Sequence, residues 1–425
     1  MKKEANRKRL EKAIHKLTKT SENISDIAHG CGFNNSSYFS RCFKKAIGVS
    51  PKNFRSSYSN IYFLDYYDLD DMLLATKFDY MGFISDDIKE IESKFEMKKL
   101  HEPDEKFSFL HEAAIIEYHG VIYTAWYSCL EEELKGYTPI CGKRSYDGGK
   151  TFTDLEIICE DKNEKIMYCP PVFGICDDKL YMMVNQMVAP DHMHSLDLYV
   201  LNNETQKFEF LWSRPSGFKL NTNVVKLPNG KLMLPGRVGE LDKFPYTPAV
   251  LISDSGKIDA PWRLVKIAEN EKLPDGQILI YPEISVMCVN DVLYMFCRND
   301  YRRVSLVYIS RDFGETWSKP LSHDIPYVSS KVFAGNLSDG RSYLIANIEE
   351  FDRSKLAIYF ANKGETEFSK RMILFDKQAL CLQGDVACHY PAAFESEGKL
   401  YIIATYNYKW MVRGAVLFTI DLDEI

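Results

Sequence analysis

Six segments of the chain repeat one pattern, a polar turn followed by an apolar strand. They read "YHGVIYTAWY", "CDDKLYMMVN", "PNGKLMLPGR", "VNDVLYMFCR", "SDGRSYLIAN" and "SEGKLYIIATY". Their anchors, Tyr123, Tyr181, Met233, Tyr294, Tyr343 and Tyr401, lie 49 to 61 residues apart. Each follows a second extended segment, as "HEAAIIEY" precedes the first and "YPAAFES" the last. A unit of that length holds a small antiparallel sheet, and one such sheet cannot bury both faces alone. The units must therefore stack. A closed ring of six blades is the simplest solution and leaves few long edges. A solenoid is the alternative, and it needs atypical capping units at its ends. After Tyr401 only "VRGAVLFTIDLDEI" remains, room for about one more strand. The last blade then lacks its outer strand, and "NIYFLDYYDL", Asn60 to Leu69, is expected to supply it and close the ring.

Two turns stand out within the repeats. "KRSYDGGKTF" (Lys143–Phe152) and "YISRDFGETW" (Tyr308–Trp317) both read Ser-x-Asp-x-Gly-x-Thr-Phe/Trp. An Asp at that place accepts backbone N–H groups across a hairpin, and Gly permits a positive φ. These turns resemble the Asp-box hairpins of sialidase-type β-propellers, with "FANKGETEF" (Phe360–Phe368) as a decayed third copy. The resemblance covers about residues 58–425.

The charge is uneven. Residues 1–60 carry 13 Lys/Arg against 4 Asp/Glu, whereas the remainder is acidic. A basic head on an acidic body reads as a domain boundary. Residues 1–20 suggest an amphipathic helix with Leu10, Ala13, Ile14 and Leu17 on one side. A short helix over Ile24–His29, a turn at Gly30–Gly32 and a helix over about Ser36–Ala46 then give helix-turn-helix spacing. Ile24, Ile27, Ala28, Phe33, Tyr38, Phe39 and Phe43 would form the small core. Asn34, Asn35, Ser36, Ser37, Ser40 and Arg41 would face a DNA groove, with Lys44 and Lys45 on phosphates. The run "ISDIAHGCGFNNSSYFSRCFKKAIGVSPKNFR" resembles the second helix-turn-helix of AraC-type transcription regulators. That family carries two such units, and only one fits here, over residues 7–56. The expected fold is an all-β six-bladed β-propeller (residues 58–425) with a small all-α helix-turn-helix domain at the N-terminus (residues 1–57).

In a propeller, the starts of the innermost strands and the ends of the second strands gather at one mouth. That rule nominates His111, Glu112, Tyr127, Tyr168, Asn185, Asn221, Arg237, Tyr281, Glu283, Arg298, Lys331, Asn347, His389, Tyr390, Tyr406 and Lys409. A pure core needs no such polar set, because unpaired buried charge is costly. Arg237 and Arg298 suit a sugar carboxylate, since a planar guanidinium binds it bidentately. Lys331, Tyr390, Tyr168 and Asn185 would help bind substrate. On a regular strand Glu283 and Tyr281 share a face. Together they make a nucleophile pair or an acid/base, while His111 and His389 could carry protons. Glu112 would point away. An internal Arg298–Glu283 pair and packed histidines remain the structural alternatives. Trp126, Trp410 and Tyr408 could stack on sugar faces.

Sialidases use an arginine triad, an Asp acid/base and a Tyr–Glu pair. The resemblance therefore implies a carbohydrate-active propeller, a glycoside hydrolase for a sialic- or uronic-acid glycan. Arg413 is a candidate third arginine. The segments around His111 and His389 also resemble propellers that cleave uronic-acid polysaccharides, so a lyase is the second reading. A sugar-binding sensor coupled to a DNA-binding head is the third, with DNA contacted through residues 20–56, and a protein-binding platform is the fourth. No phosphate loop or dinucleotide fingerprint occurs, so no cofactor is expected. His192 and His194 in "PDHMHSLD" read as a surface loop rather than a metal site, and Glu131–Gly136 as a solvated rim. The 11 Cys are scattered without metal-ligand pairing. No leader or membrane span is visible after Met1, and a cytoplasmic location is expected.

Overall fold

The computed structural model describes residues 9–10, 12–14, 16–17, 20, 22–47, 50–58, 78–92, 95–243, 247–268, 279, 281–299, 304–326, 328–349 and 352–425. Among them the strands form six sheets, following one another in sequence as the blades of a propeller. All six anchors fall on second strands. From the axis outward, blade I is Phe109–Tyr118, Val121–Cys129, Ile140–Ser145 and Glu156–Cys159. Blade II is Met167–Cys176, Lys179–Ala189, His192–Asn202 and Lys207–Pro215. Blade III is built on Phe218–Leu220, Leu232–Val238, Thr247–Ser253 and Arg263–Lys266. Blade IV is Ile284–Val289, Val292–Cys297, Leu306–Ser310 and Leu321–His323; blade V is Phe333–Asn336, Ser342–Asn347, Lys355–Ala361 and Phe368–Asp376. Blade VI is Ala387–Ser396, Lys399–Lys409 and Val412–Asp421, completed from the other end of the chain.

The completing strand is Phe95–His101, antiparallel to Val412–Asp421, with Phe418 opposite Met97. Closure by an N-terminal strand is as the sequence suggested, but the strand is another one. Asn60–Leu69 lies outside the described residues. The reason is that the chain first runs along two outer edges. Asp79–Met81 pairs in parallel with Leu321–His323, and Ile84–Glu90 with Phe368–Asp376. The buried Asp324 carboxylate fastens this strap, accepting from Phe83 N at 2.8 Å and Ile84 N at 3.2 Å.

Apolar clusters fill the space between successive blades. Trp126, Ile403, Phe418 and Ile358 share one cluster that bridges blades V, VI and I, where the ring closes. Trp126 is fully buried there and stacks on His101 at 5.5 Å, so it is core and not a sugar platform.

The two full Asp boxes superimpose in their bonding. Asp147 accepts from Thr151 N at 2.8 Å and Thr151 Oγ1 at 2.6 Å; Asp312 accepts from Thr316 N at 2.9 Å and Thr316 Oγ1 at 2.5 Å. Both join third to fourth strands, as does Phe360–Phe368 in blade V. A related turn, Ser253–Lys257 in blade III, lacks the motif's Asp, Gly and Thr, with Ser255, Lys257 and Asp259 at those places; Ser253 Oγ still accepts from Lys257 N at 3.2 Å.

In the head, α1 (Ile24–Gly30), α2 (Ser36–Ile47) and α3 (Pro51–Tyr58) follow residues 9–17, whose described positions are helical. Ile27, Ala28, Phe33, Phe39 and Phe43 are buried as expected, and Phe54 of α3 joins them 5.2 Å from Phe43. Tyr38 departs from expectation: it is 46% exposed, because it sits on the outer side of α2.

Phe418 tests the closure. Phe418→Ala removes a fully buried ring and should destabilise the propeller by about 3–5 kcal/mol, read as a lower denaturant midpoint. A loss below about 1 kcal/mol would show that the closing seam carries little of the stability.

Candidate functional site

The mouth is shaped by a backbone irregularity that recurs in three neighbouring blades. In blade I His111 faces Tyr127 and Ala114 faces Ala125, so two residues oppose one. Blade VI does the same between His389 and Ala392, and blade II between Tyr168 and Pro171. Such a bulge bends the strand and re-aims a side chain. Glu112 and Tyr390, each first in its bulge, take φ of 48° and 54°. That overturns the expectation that Glu112 points away. It is buried, 3.3 Å from Lys219 Nζ and 3.9 Å from Lys331 Nζ. The signal was present in the paired "HEAA" and "HYPAA", but regular alternation was assumed through it.

Tyr281 is also irregular, at φ 50°, and Glu283 N donates to Tyr281 O at 2.7 Å. The pair therefore does not lie on a regular strand. The Tyr281 ring packs on two guanidinium groups, with Arg237 and Arg298 each 5.4 Å from its centroid. Tyr390 is linked to Glu283 through Arg298. Arg298 Nη1 donates to Glu283 Oε2 at 2.6 Å and also to the Tyr390 hydroxyl. Arg353 lies over the other side of Tyr390 at 5.2 Å and donates to Ser329 O at 2.8 Å. His111 packs against Tyr390 at 4.1 Å and His389 at 5.2 Å. His111 Nδ1 bonds Thr405 Oγ1 at 2.8 Å, and His389 Nε2 bonds Asn407 Oδ1 at 2.9 Å. Lys331 donates to Asn221 O.

Glu283, Tyr281, His111, His389, Arg237, Arg298, Tyr390 and Lys331 thus converge on one mouth. Several nominated residues do not join it. Asn185 clamps blade II to blade III, donating to Phe218 O at 2.7 Å and accepting from Leu220 N at 2.9 Å. Tyr168 packs into the apolar interface of blades I and II. Asn347 repeats the clamp at Cys388 O, 2.8 Å away.

Four members of the site were not nominated or were misjudged. Asp191 lay in a segment read as a surface loop, and Lys219 and Arg353 in segments to which no role was given. Asp191, from the loop ahead of His192, reaches in to Lys219 at 2.5 Å and Arg237 at 3.2 Å. Glu133, in the loop expected to be merely solvated, accepts from Tyr127 OH at 2.8 Å and lies 3.6 Å from Arg413. His192 and His194 stay at the edge, and His194 bonds Asp242 at 3.0 Å. Among the described residues no group of three or more His, Cys, Asp or Glu could hold a metal ion.

Among the described residues, six cations (Lys219, Arg237, Arg298, Lys331, Arg353, Arg413) and four carboxylates (Glu112, Glu133, Asp191, Glu283) stand around the mouth. Burial pushes the Glu283 carboxyl up, but Arg298, Arg237 and Lys331 outweigh it and hold it at about 2. Asp191 is held at about 2 in the same way, by Lys219 and Arg237 against burial. Burial lowers Lys331, and Glu112 and Glu283 do not offset it. Burial, helped by Arg413 and Arg353, holds both His111 and His389 well below the usual range, so both rings are neutral at pH 7. Burial drives the Tyr390 phenol far up, against the pull of Arg298.

In the head, Asn35 caps α2, accepting from Tyr38 N at 2.6 Å, so its oxygen is not directed at a groove. Ser37 and Arg41 are exposed, while Ser36 and Ser40 are half-buried. Lys44 pairs with Asp86 on the propeller strap. The Lys45 side chain lies outside the described residues. Among the described residues no helix is long and apolar enough to cross a membrane.

Fold and mouth together define a sialidase-like, BNR-type six-bladed propeller carrying a helix-turn-helix head. Residues 219–402 match the BNR repeat-like domain family and residues 2–57 a helix-turn-helix domain family. The Hadza microbial sialidase Hz136 aligns with a TM-score of 0.62 at 13% identity, over 77% of this chain and 69% of its own. Trypanosoma rangeli sialidase gives 0.58 at 13%, over 77% and 60%. A protein of unknown function from Dyadobacter fermentans gives 0.59 at 14%, over 76% and 99%. At such identities the likeness is one of fold. The head is 49% identical over 47 residues to the HTH-type transcriptional activator RhaS of Mannheimia succiniciproducens, covering 11% of this chain. It is 45% identical over 53 residues to RhaR of Pectobacterium carotovorum, covering 12%. The chain spans only 18% and 19% of the lengths of these two relatives.

Acid titration tests the mouth. Glu283 titrates at about 2 folded against 4.5 as an ordinary carboxyl. A depressed folded value stabilises above the unfolded pKa and is lost as pH falls through the folded one. Wild type should exceed Glu283→Gln in stability by a few kcal/mol at pH 7, and the gap should close as pH falls from about 4.5 toward 2. A gap independent of pH, measured by denaturant unfolding, would place Glu283 outside the cationic field.

Proposed function

We propose that the propeller is a glycoside hydrolase acting on a glycan that ends in an acidic sugar. The observation that carries this is the convergence of Arg298, Arg353 and Lys331 on the Tyr390 ring, with Glu283 bonded to the same Arg298. Guanidinium and ammonium groups gathered at one buried ring suit a ligand that carries a carboxylate. Arg298, Arg353 and Arg237 come from three blades and present guanidinium groups to one space, the arrangement suited to a planar carboxylate. Tyr390 is the nucleophile and Glu283 its base, coupled through the shared nitrogen of Arg298. Glu283 is ionised and takes the phenolic proton as the phenol oxygen attacks the anomeric carbon; the bond to the leaving oxygen breaks, and that oxygen takes up a proton from solvent water. Water then cleaves the sugar–tyrosine bond and restores the phenol. The sialidase folds with which this propeller aligns support the same reading.

One observation favours a lyase as the second reading: neutral His111 packs directly on Tyr390. A neutral imidazole could remove a ring proton from a uronate whose carboxylate is held by the arginines. The head supports a further role, in which Ser37 and Arg41 on the open side of α2 contact DNA and glycan binding reports to it.

Product mass after incubation with sialylated and uronate-ended oligosaccharides separates the two chemistries. Hydrolysis adds water, whereas elimination leaves an unsaturated uronate. Tyr390→Phe and Glu283→Gln should each cut turnover about 10²–10⁴-fold, while His111→Ala cuts it comparably only for a lyase. Arg298→Ala should weaken binding about tenfold or more. No product from any acidic glycan would overturn the enzymatic reading. For the head, Arg41→Ala should weaken duplex DNA binding about tenfold, measured by fluorescence anisotropy at fixed salt. Equal affinity of wild type and variant would remove Arg41 from the interface.

A further inference from the structure

The strap along blades IV and V has one irregular stretch. Ile84 pairs with Phe368 and Lys89 with Lys370, so four strap residues, Ser85–Ile88, stand against Ser369 alone. Both feet of this arch are pinned to blade V. Phe368 N donates to Phe83 O at 2.5 Å, Ile91 N to Arg371 O at 2.7 Å, and Arg371 Nε to Glu90 Oε1 at 2.8 Å. The extra residues have no place in the ladder, so they stand off the sheet edge. They carry Asp86 and Asp87, both exposed.

The head meets this strap through its second helix. Cα atoms of α2 come within 8 Å of those of Asp79–Met81, and Lys44 Nζ pairs with Asp86 on the arch. Ser37, Arg41 and Lys44 stand at i, i+4 and i+7, on one side of the helix, about 10 Å from end to end. With that side in a major groove about 12 Å wide, Lys44 comes to the groove's edge, beside a phosphate. Asp86 already holds that place, with the same sign of charge and with acceptor oxygens of its own. A phosphate brought up to Lys44 would face Asp86 and Asp87 as like charges, and these repel.

We infer that the arch is an internal competitor for DNA: docked on it, the recognition side of α2 is shielded, and a duplex binds only when the head comes off the strap. The inference rests on the DNA-binding reading of the head given above. An exposed ion pair is weak by itself, which suits a latch that a polyanion can open.

Two measurements on the full chain test this. Carbodiimide joins an amine to a carboxylate in direct contact. Mass spectrometry should find the Lys44–Asp86 cross-link in the free protein, and a saturating duplex of mixed sequence should suppress it. In fluorescence anisotropy at low salt, Asp86→Asn/Asp87→Asn should bind that duplex about tenfold more tightly than wild type, with the gain shrinking as salt rises. Glu105→Gln/Glu204→Gln removes two exposed charges elsewhere and should stay within about twofold of wild type. All four side chains are exposed, so folding should be unaffected, and a circular dichroism melt checks it. No cross-link in the free chain, a cross-link that survives saturating duplex, or a gain in Asp86→Asn/Asp87→Asn no larger than that of the other double variant overturns the latch and leaves DNA binding by the head standing. A duplex bound by none of the three proteins overturns both.

Discussion

The antiparallel seam between Phe95–His101 and Val412–Asp421 is the contact on which the rest depends. Each blade has two apolar faces and can bury them only against neighbours on both sides. An open row would leave the outer face of blades I and VI in water. The seam ties a strand from the N-terminal side of the propeller to its last strand, and the cluster running through Trp126, Ile403 and Phe418 is its product. Only a closed ring then has a centre, and only a centre can gather charged side chains from all six blades away from bulk water.

That centre is costly to build. Six basic groups and four carboxylates are brought into a space where solvation is poor. The pairs Glu283–Arg298, Asp191–Lys219 and Glu112–Lys219 offset much of the cost. The resulting field holds Glu283 and Asp191 ionised and keeps both histidines neutral. The same field sets chemical roles. Two buried imidazoles beside arginines cannot act as cations at neutral pH, whereas an ionised Glu283 can act as a base. The step from positive field to glycan cleavage is the proposed part of this account, and it draws on Tyr390 sharing a guanidinium nitrogen with that base.

The strap of residues 78–92 gives the head its place in this arrangement. It adds parallel strands to blades IV and V before the chain reaches the closing seam, and Lys44 of α2 meets Asp86 upon it. The α2 helix therefore lies against the outer strap, on blades other than those of the closing seam. Ser37 and Arg41 remain on the open side of that helix.

Much of the fold was legible in the residues because local patterns carry it. Six turn-and-strand anchors, two Asp boxes and the Ile27–Ala28…Gly32–Phe33 spacing each reflect short-range bonding or burial that a linear reading can follow. The polar mouth was legible to the extent that regular strands deliver alternate residues to one face. It ceased to be so at the bulges. Glu112 and Tyr390 turn inward because one extra residue breaks the alternation, and Asp191, Lys219 and Arg353 join the site from places without a repeated signature. Which tyrosine shares Arg298 with Glu283, which Asn is a clamp, and which strand closes the ring were decided by tertiary structure alone. The reason is that each depends on how distant segments lie across the axis, and a one-residue change of register moves a side chain from core to cavity without altering the composition around it.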